Sequence, residues 1–169
     1  MAIAFDATST ANTGVVADPS LTWSHTCTGS DRLMVVHVTI RPGNQSVSSV
    51  TYGGTALTLS DVRSNSTGPR VELWYLAAPA TGANDIVVTF SASSNSVCGA
   101  TSWTGVNQSS PVSPSVSAIG SDDTPTIAVG STVSSFVVDV VGTFDELGSP
   151  TATVGAGQTE RWNATAEAS

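Results

Sequence analysis

The strongest constraint on the fold is a short apolar run, residues 71–76, which reads Val-Glu-Leu-Trp-Tyr-Leu. Turn-forming residues bound it on both sides, with Gly68-Pro69 before it and Pro79 after it. A short apolar run between such signals is typical of a β-strand, whereas a buried helix is longer. Because side chains alternate along a strand, both faces of this one are mainly apolar. We therefore predict a central strand with a second layer over one face and partial cover over Trp74.

Similar short segments recur along the whole chain between turn residues, and no stretch shows the 3.6-residue period of an amphipathic helix. This pattern predicts an all-β, antiparallel sandwich of jelly-roll type in one domain, residues 1–169. The predicted strands are residues 3–7, 21–27, 32–40, 47–52, 55–60, 71–76, 85–91, 96–104, 116–120, 126–129, 135–143, 151–154 and 158–164.

Two of these predictions are specific in geometry. Gly53-Gly54 links two alternating segments, and such a pair is a strong hairpin signal because glycine tolerates the positive φ that the turn requires. Residues 32–40 alternate along their length, and we expect every second side chain from Met34 to Ile40 to face the core.

The charge balance limits the possible partners. The net charge is −8, and all five cations are arginine. An acidic chain without basic clusters is a poor ligand for nucleic acid or for an anionic membrane. No apolar run approaches the length of a membrane span, and the first residues lack the features of a signal peptide. We expect no nucleic-acid or membrane partner.

Cys27 and Cys98 are the two cysteines. They are candidates for one disulfide across the sandwich, and two buried free thiols are the alternative; the sequence leaves both open.

Candidate catalytic and metal-binding groups are sparse. His25 and His37 show no metal-ligand spacing, and the chain contains no Gly-x-Ser-x-Gly motif. We therefore predict no enzymatic activity and no cofactor. Clustered carboxylates in loops can hold Ca²⁺, although no calcium-loop spacing is present; the weak candidates are Asp122, Asp123, Asp145 and Glu146.

Four tryptophans are candidates for ligand or interface contacts, because exposed rings on a sandwich face can stack on sugars or anchor a partner subunit. Trp74 shares its strand face with Glu72, and it is the best candidate for an exposed ring or an interface ring. The other three candidates are Trp23, Trp103 and Trp162.

The pattern Val-Thr-Tyr-Gly-Gly-Thr-Ala-Leu-Thr at residues 50–58, followed by residues 71–76, resembles a family of β-sandwich domains from phage structural proteins and bacterial secreted proteins. The sequence Trp-Thr-Gly-Val-Asn at residues 103–107 continues the resemblance, which covers nearly the whole chain. It implies a jelly-roll-like structural or surface module without catalytic residues.

Relatives of this kind usually continue beyond residues 157–162 and close with a further apolar strand. By this resemblance, the domain of residues 1–169 is expected to lack its own closing strand. A sandwich without that strand exposes an edge, and open edges invite pairing with another chain. The prediction is therefore a structural subunit of an assembly, most concretely a capsid decoration or tail-associated virion protein that binds copies of itself or other structural proteins. A secreted carbohydrate-binding or adhesin module at the cell surface, with a glycan ligand, and the subunit of an extracellular filament are the alternatives.

Overall fold

A computed structural model describes residues 2–14, 16–65, 68–120, 126–143 and 153–165. These residues form antiparallel strands and irregular segments, without a helix of a length that could cross a membrane. The predicted all-β, antiparallel fold is confirmed. The strands are β1 (Ala4–Asn12), β2 (Asp18–Cys27), β3 (Leu33–Arg41), β4 (Val47–Tyr52), β5 (Thr55–Ala56), β6 (Thr58–Ser64), β7 (Arg70–Ala77) and β8 (Gly82–Thr104).

The strands form two sheets that share β8. Sheet A has the order β1, the second half of β8, β3, β7 and β6; sheet B has the order β2, the first half of β8, β4 and β5. The pairing of β2 with β8 shifts register between Ser20↔Thr89 and Asp18↔Ser94, where β8 passes from one sheet to the other. The sequence predicted two strands here, at residues 85–91 and 96–104. That division is wrong, because the small polar residues between them continue the extended backbone around the bend.

The core between the sheets comes from alternating side chains, as predicted for the third strand. Met34, Val36, Val38 and Ile40 are all buried, and they pack in one cluster with residues of sheet B such as Ile86. Complete burial of an aliphatic side chain of this size contributes about 1.5–3 kcal/mol. The inward face of β3 is therefore a main source of the stability of the sandwich.

The Gly-Gly hairpin is confirmed. Tyr52 pairs with Thr55, so that Gly53 and Gly54 are the two turn residues, with φ values of 53° and 81°. Both values lie in the left-handed region that glycine adopts at little cost, and the turn fixes the register of β4 and β5.

Strand β7 alternates as predicted, but the face that carries Trp74 is the inner one. Trp74 is 9% exposed and lies between the sheets, so the expectation of an exposed ring there is wrong. Its neighbour Glu72 is also buried and accepts hydrogen bonds from Trp74 Nε1 at 3.0 Å, Val47 N at 3.1 Å and Arg70 Nε at 2.6 Å. A carboxylate that accepts hydrogen bonds from three donors can be buried. It also supplies the acceptor that the N–H of the buried indole needs.

The outer face of sheet A is also apolar and needs a cover. Leu33, Val35, Trp103 and Val106 form a second buried cluster there, against which Val138 packs. We call residues 126–143 and 153–165 the C-terminal cover, because Phe136, Val138 and Trp162 among them lie on this outer face.

The predicted strands in the last third of the chain are wrong for the described residues. No strand is present at residues 116–120, 126–129, 135–143 or 158–164, or at 153–154; residues 151 and 152 lie outside the described part. These segments were predicted from alternation alone. In the structure, side chains of the cover such as Val138 and Trp162 pack on the outer face of sheet A, and the described part of the cover does not join a sheet edge.

Replacing Glu72 by Gln keeps the shape but places an amide N–H₂ group where an oxygen now accepts a hydrogen bond. We expect the free energy of unfolding to fall by about 3 kcal/mol, since buried donors lose their charged acceptor. Urea unfolding followed by tryptophan fluorescence measures this loss. The control Glu160→Gln changes an exposed side chain that accepts a hydrogen bond from Asn163, and its stability should stay within about 0.5 kcal/mol of the wild type. Equal stabilities of the two variants would contradict the role of Glu72.

Candidate functional site

A polar cluster joins β1 to β2 at one side of the sandwich. His25 is buried, and its Nδ1 lies 2.8 Å from Ser9 Oγ, which also accepts a hydrogen bond from Trp23 Nε1 at 3.0 Å. A hydroxyl that accepts from the indole can donate its own proton to Nδ1, which places the imidazole proton on Nε2. Nε2 is buried and has no hydrogen-bond partner among the described residues. Burial lowers the pKa of His25, although the nearby Asp6 opposes this change.

Asp6 organises the other half of this cluster. Its carboxylate accepts hydrogen bonds from the backbone and hydroxyl of Thr28 and, at 2.7 Å, from Ser102 Oγ. Burial alone would raise the pKa of Asp6, but these hydrogen bonds and the charge of His25 outweigh it, and the pKa is lowered overall. Asp6 therefore connects β1 with the end of β2 and with β8.

The cluster contains serine, histidine and aspartate, but it lacks the arrangement of a hydrolytic triad. In a triad the carboxylate orients the imidazole, and the other ring nitrogen faces the nucleophile and the substrate. Here Nδ1 of His25 is hydrogen-bonded to Ser9, and Asp6 accepts its hydrogen bonds from Thr28 and Ser102. Nε2 of His25 is closed to solvent. The chemistry that this geometry supports is cross-linking of strands by hydrogen bonds. Sequence reasoning missed the cluster because its members are far apart along the chain.

The second feature is an aromatic contact on the outer face of sheet A. The Trp162 ring stacks on His37, with centroids 5.9 Å apart and planes at 28°. Gly99 lies opposite His37 on the neighbouring strand, and a Cβ at this position would lie only 2.6 Å from Trp162 Nε1. Glycine thus leaves the space that the indole fills. We call the surface formed by His37 and Gly99 the Trp162 slot.

Further rings continue this contact along the sheet. Phe136 of the cover lies 4.3 Å from Trp103, centroid to centroid, and Phe5 meets the same indole edge to face at 5.4 Å. The guanidinium carbon of Arg161 lies 4.0 Å from the centroid of the Phe5 ring and 5.6 Å from that of Trp103. Cation–π contacts of this kind add to the apolar burial that holds the cover in place.

The predicted aromatic candidates are therefore engaged within the chain. Trp74 and Trp103 are buried, Trp23 is half-buried with its N–H bonded to Ser9, and Trp162 occupies its slot. The structure does not bring them together as one exposed platform. Tyr75 instead lines a shallow surface depression of about 480 Å³, beside Leu59 and residues 112–115.

The two cysteines are free thiols in the core, so the disulfide alternative is not realised. Cys27 contacts Ser102, and Cys98 lies four residues away from Ser102 along β8, a separation of about 13 Å in a strand. Burial raises the pKa of Cys98 to about 12 and also raises that of Cys27. Both side chains act as small apolar groups of the core.

No cluster of three or more potential metal ligands occurs among the described residues. The weak calcium candidates Asp122, Asp123, Asp145 and Glu146 all lie outside those residues. The prediction of no metal site, with these carboxylates as weak candidates, therefore stays untested.

Comparisons with models of known protein families, with curated proteins and with solved structures found no match to this chain. Its functional interpretation depends on its own residues and their geometry.

The buried His37 generates a prediction about pH. Both ring nitrogens lack a hydrogen-bond partner in the described structure, and burial alone lowers the pKa of His37 to about 4. Leu73 and Gly99 pair with His37 on the adjacent strands, and Trp162 covers its ring. No charged group contributes to the pKa shift of His37. Between the unfolded pKa of 6.5 and about 4, the unfolded chain binds a proton that the folded chain does not. Stability is therefore complete above that range and falls with decreasing pH within it.

Between pH 7 and pH 4, we expect the free energy of unfolding of the wild type to fall by about 3 kcal/mol more than that of His37→Phe. This difference is the free energy that corresponds to the pKa shift of His37. Urea unfolding at several pH values measures the difference, and His25 titrates in both proteins and so cancels. Parallel pH profiles for the two proteins would show that His37 does not titrate as described.

Proposed function

We propose that this chain is a non-enzymatic structural subunit of a larger assembly, most concretely a phage virion protein such as a capsid decoration or tail-associated subunit. The observation that carries the proposal is the segment of residues 135–143. It has the alternation of a β-strand, but it pairs with no strand among the described residues.

The alternation of this segment is visible in its burial. Val138, Val140 and Gly142 are half-buried towards sheet A, whereas Val137 and Val141 face solvent and are 43% and 54% exposed. Ser135 N donates a backbone hydrogen bond to Thr132 O at 3.0 Å. Among the described residues, this is a local turn bond and not part of a ladder between strands. The segment therefore presents both apolar side chains and backbone groups outside any ladder of the described strands. That combination is what an added strand from another chain would use.

Exposed apolar residues are concentrated in the same part of the chain. Of the twelve large hydrophobic side chains that are exposed among the described residues, ten lie within residues 112–154. Scattered exposed hydrophobics are ordinary, whereas their concentration in one stretch of the chain supports a contact with a partner there. The ten are Val112, Val116, Ile119, Ile127, Val129, Val133, Phe136, Val137, Val141 and Val154.

A partner strand along residues 135–143 would extend for about 30 Å, at 3.3 Å per residue. A stable interface needs roughly 1,000 Å² or more, so the flanking exposed residues would also have to be covered. A second copy of the chain or another structural protein meets these requirements. Whether the contacts close into a shell or continue into a filament depends on the symmetry of the contact.

The double variant Val137→Asp, Val141→Asp tests this surface. We expect wild type to be oligomeric at micromolar concentration and the variant to be monomeric, because charge would replace the apolar side chains that a partner buries. Both positions are exposed within the chain, so thermal unfolding of the variant should change little. Light scattering coupled to size exclusion gives the mass.

Val16→Asp is the matched control, since Val16 is 66% exposed but lies in the connection between β1 and β2, outside this region. It should keep the mass of wild type. A monomeric wild type would overturn the proposal. Electron microscopy of the native particle then distinguishes a virion location from a filament, and binding on a glycan array by a monomer would favour the carbohydrate-binding alternative.

A further inference from the structure

His37 lies on the outer face of sheet A, beneath the C-terminal cover. The Trp162 ring stacks on it, and Leu73 and Gly99 flank it on the adjacent strands. The side chain is 1% exposed, and neither ring nitrogen has a hydrogen-bond partner among the described residues. An imidazolium at this position would need an acceptor or water for both of its N–H groups. The closed structure therefore holds His37 in its neutral form.

The cover can leave sheet A without breaking a ladder of the sandwich. Because side chains alternate along β3, His37 points away from the core between the sheets, and the layer above it is the cover. The backbone–backbone hydrogen bonds between described residues of the cover, such as Gln158 N to Gly155 O at 3.1 Å, are local turn bonds. The contacts of the cover with sheet A are made by side chains, namely those of Phe136, Val138, Arg161 and Trp162.

We propose that acid releases the C-terminal cover: protonation of His37 detaches it from the outer face of sheet A, while strands β1 to β8 stay folded. The open state gives the imidazolium the water that the closed state denies it. The apolar outer face of sheet A is then exposed, so that a fall in pH converts a covered surface into an accessible one. This device operates within a single chain and does not depend on assembly.

The strands around His37 carry few ionisable groups on this face. On β3 the charged residue of the same face is Arg41, four positions away and thus about 13 Å along the strand. On β7 it is Tyr75 that shares the outer face, whereas Glu72 lies in the core between the sheets. On β8 the outer-face side chains between Val97 and Trp103 are not titratable. His37 is therefore the group of this face that titrates in mildly acidic solution.

The charged side chains described in the cover are engaged elsewhere. Asp139 and Glu160 accept hydrogen bonds from side chains of the cover itself. The guanidinium of Arg161 lies over two aromatic rings of sheet A. Burial is the cause of the lowered pKa of His37, and no charged group contributes to it. The water that opening admits is therefore what restores the affinity of His37 for a proton.

Acid favours the open state because His37 binds its proton more tightly there. With the cover open, the ring is in water and titrates near its ordinary pKa of 6.5, whereas burial under the closed cover lowers the pKa to about 4. The equilibrium constant for opening is therefore level above about pH 7 and rises as the pH falls below it. We expect a rise of about 20-fold between pH 7 and pH 5, and of about 100-fold between pH 7 and pH 4.

Thiol labelling of dilute protein measures this opening. Val35→Cys places a thiol in the buried outer cluster under the cover, whereas Cys27 and Cys98 report on the core between the sheets. Each labelling rate is divided by that of the same thiol in the unfolded chain at the same pH. We expect the introduced thiol to label about ten times faster than Cys98 or more, because the cover opens without the sandwich. Its opening constant should rise about 20-fold between pH 7 and pH 5.

Two histidine variants, each combined with Val35→Cys, show whether His37 is the trigger. His37→Phe keeps a ring beneath Trp162 but cannot bind a proton, and we expect it to abolish the pH dependence of the opening constant. His25→Gln is the matched control, because His25 is also buried but lies in the polar cluster of β1 and β2. It should keep the rise of about 20-fold. A rise of the same size in His37→Phe would refute the role of His37.

The labelling rates also test the two halves of the proposal separately. Equal protection of the introduced thiol and Cys98 would show that the cover opens only when the sandwich unfolds, which would refute a separate opening. A separate opening whose constant is the same at pH 7 and pH 5 would refute its release by acid.

A measurement on the unaltered sequence covers the case in which a variant fails to fold. A neutral, water-soluble nitroxide broadens the NMR signal of each indole N–H that it can approach. We expect the signal of Trp162 to broaden progressively from pH 7 to pH 4. The signal of Trp74, whose N–H is bonded to Glu72 in the core, should stay sharp. Broadening of the Trp162 signal that does not change with pH would contradict the release of the cover.

Discussion

The structure depends on one constraint, which is that sheet A is apolar on both faces. The strand β3 directs Met34, Val36, Val38 and Ile40 to one side and Leu33, Val35 and His37 to the other, and all seven are buried. Sheet B covers the inner face, because β8 bends and belongs to both sheets. The outer face has to be covered by something else, and in this chain the C-terminal cover does so. The layered arrangement follows from the need to remove both faces from water.

This constraint explains why the last third of the chain differs from the rest. A segment that covers a sheet face only through its side chains removes the apolar surface beneath it from water. Its own backbone groups then form no ladder of hydrogen bonds with that sheet. One face of the cover therefore packs on sheet A, while the described part of its backbone makes no ladder. Val137 and Val141 face away from sheet A, and these exposed side chains together with the backbone outside a ladder connect the fold to the proposed assembly.

The sequence predicted the local features well. The alternation of β3, the Gly53-Gly54 turn and the alternation of β7 all follow from periods and turn chemistry that are encoded over a few residues. The sequence did not indicate the bend in β8, because Ser91 to Asn95 have the composition of a turn but continue the strand. The sequence does not reveal the burial of Trp74, because a glutamate on the same strand face suggests exposure to solvent. In the structure, three hydrogen-bond donors make the burial of Glu72 possible.

The functional features were harder to predict, because they depend on contacts between distant parts of the chain. Gly99 looks like one small residue among several, and only the position of Trp162 reveals the slot. Residues 135–143 have a clear strand pattern, but a pattern does not specify which partner the strand pairs with. The most direct measurement is amide hydrogen exchange of these residues as a function of protein concentration. The account predicts that their amides exchange freely at high dilution and become protected as the assembly forms, while those of β3 and β8 stay protected throughout. Protection of residues 135–143 at every dilution, or free exchange at every concentration, would contradict it.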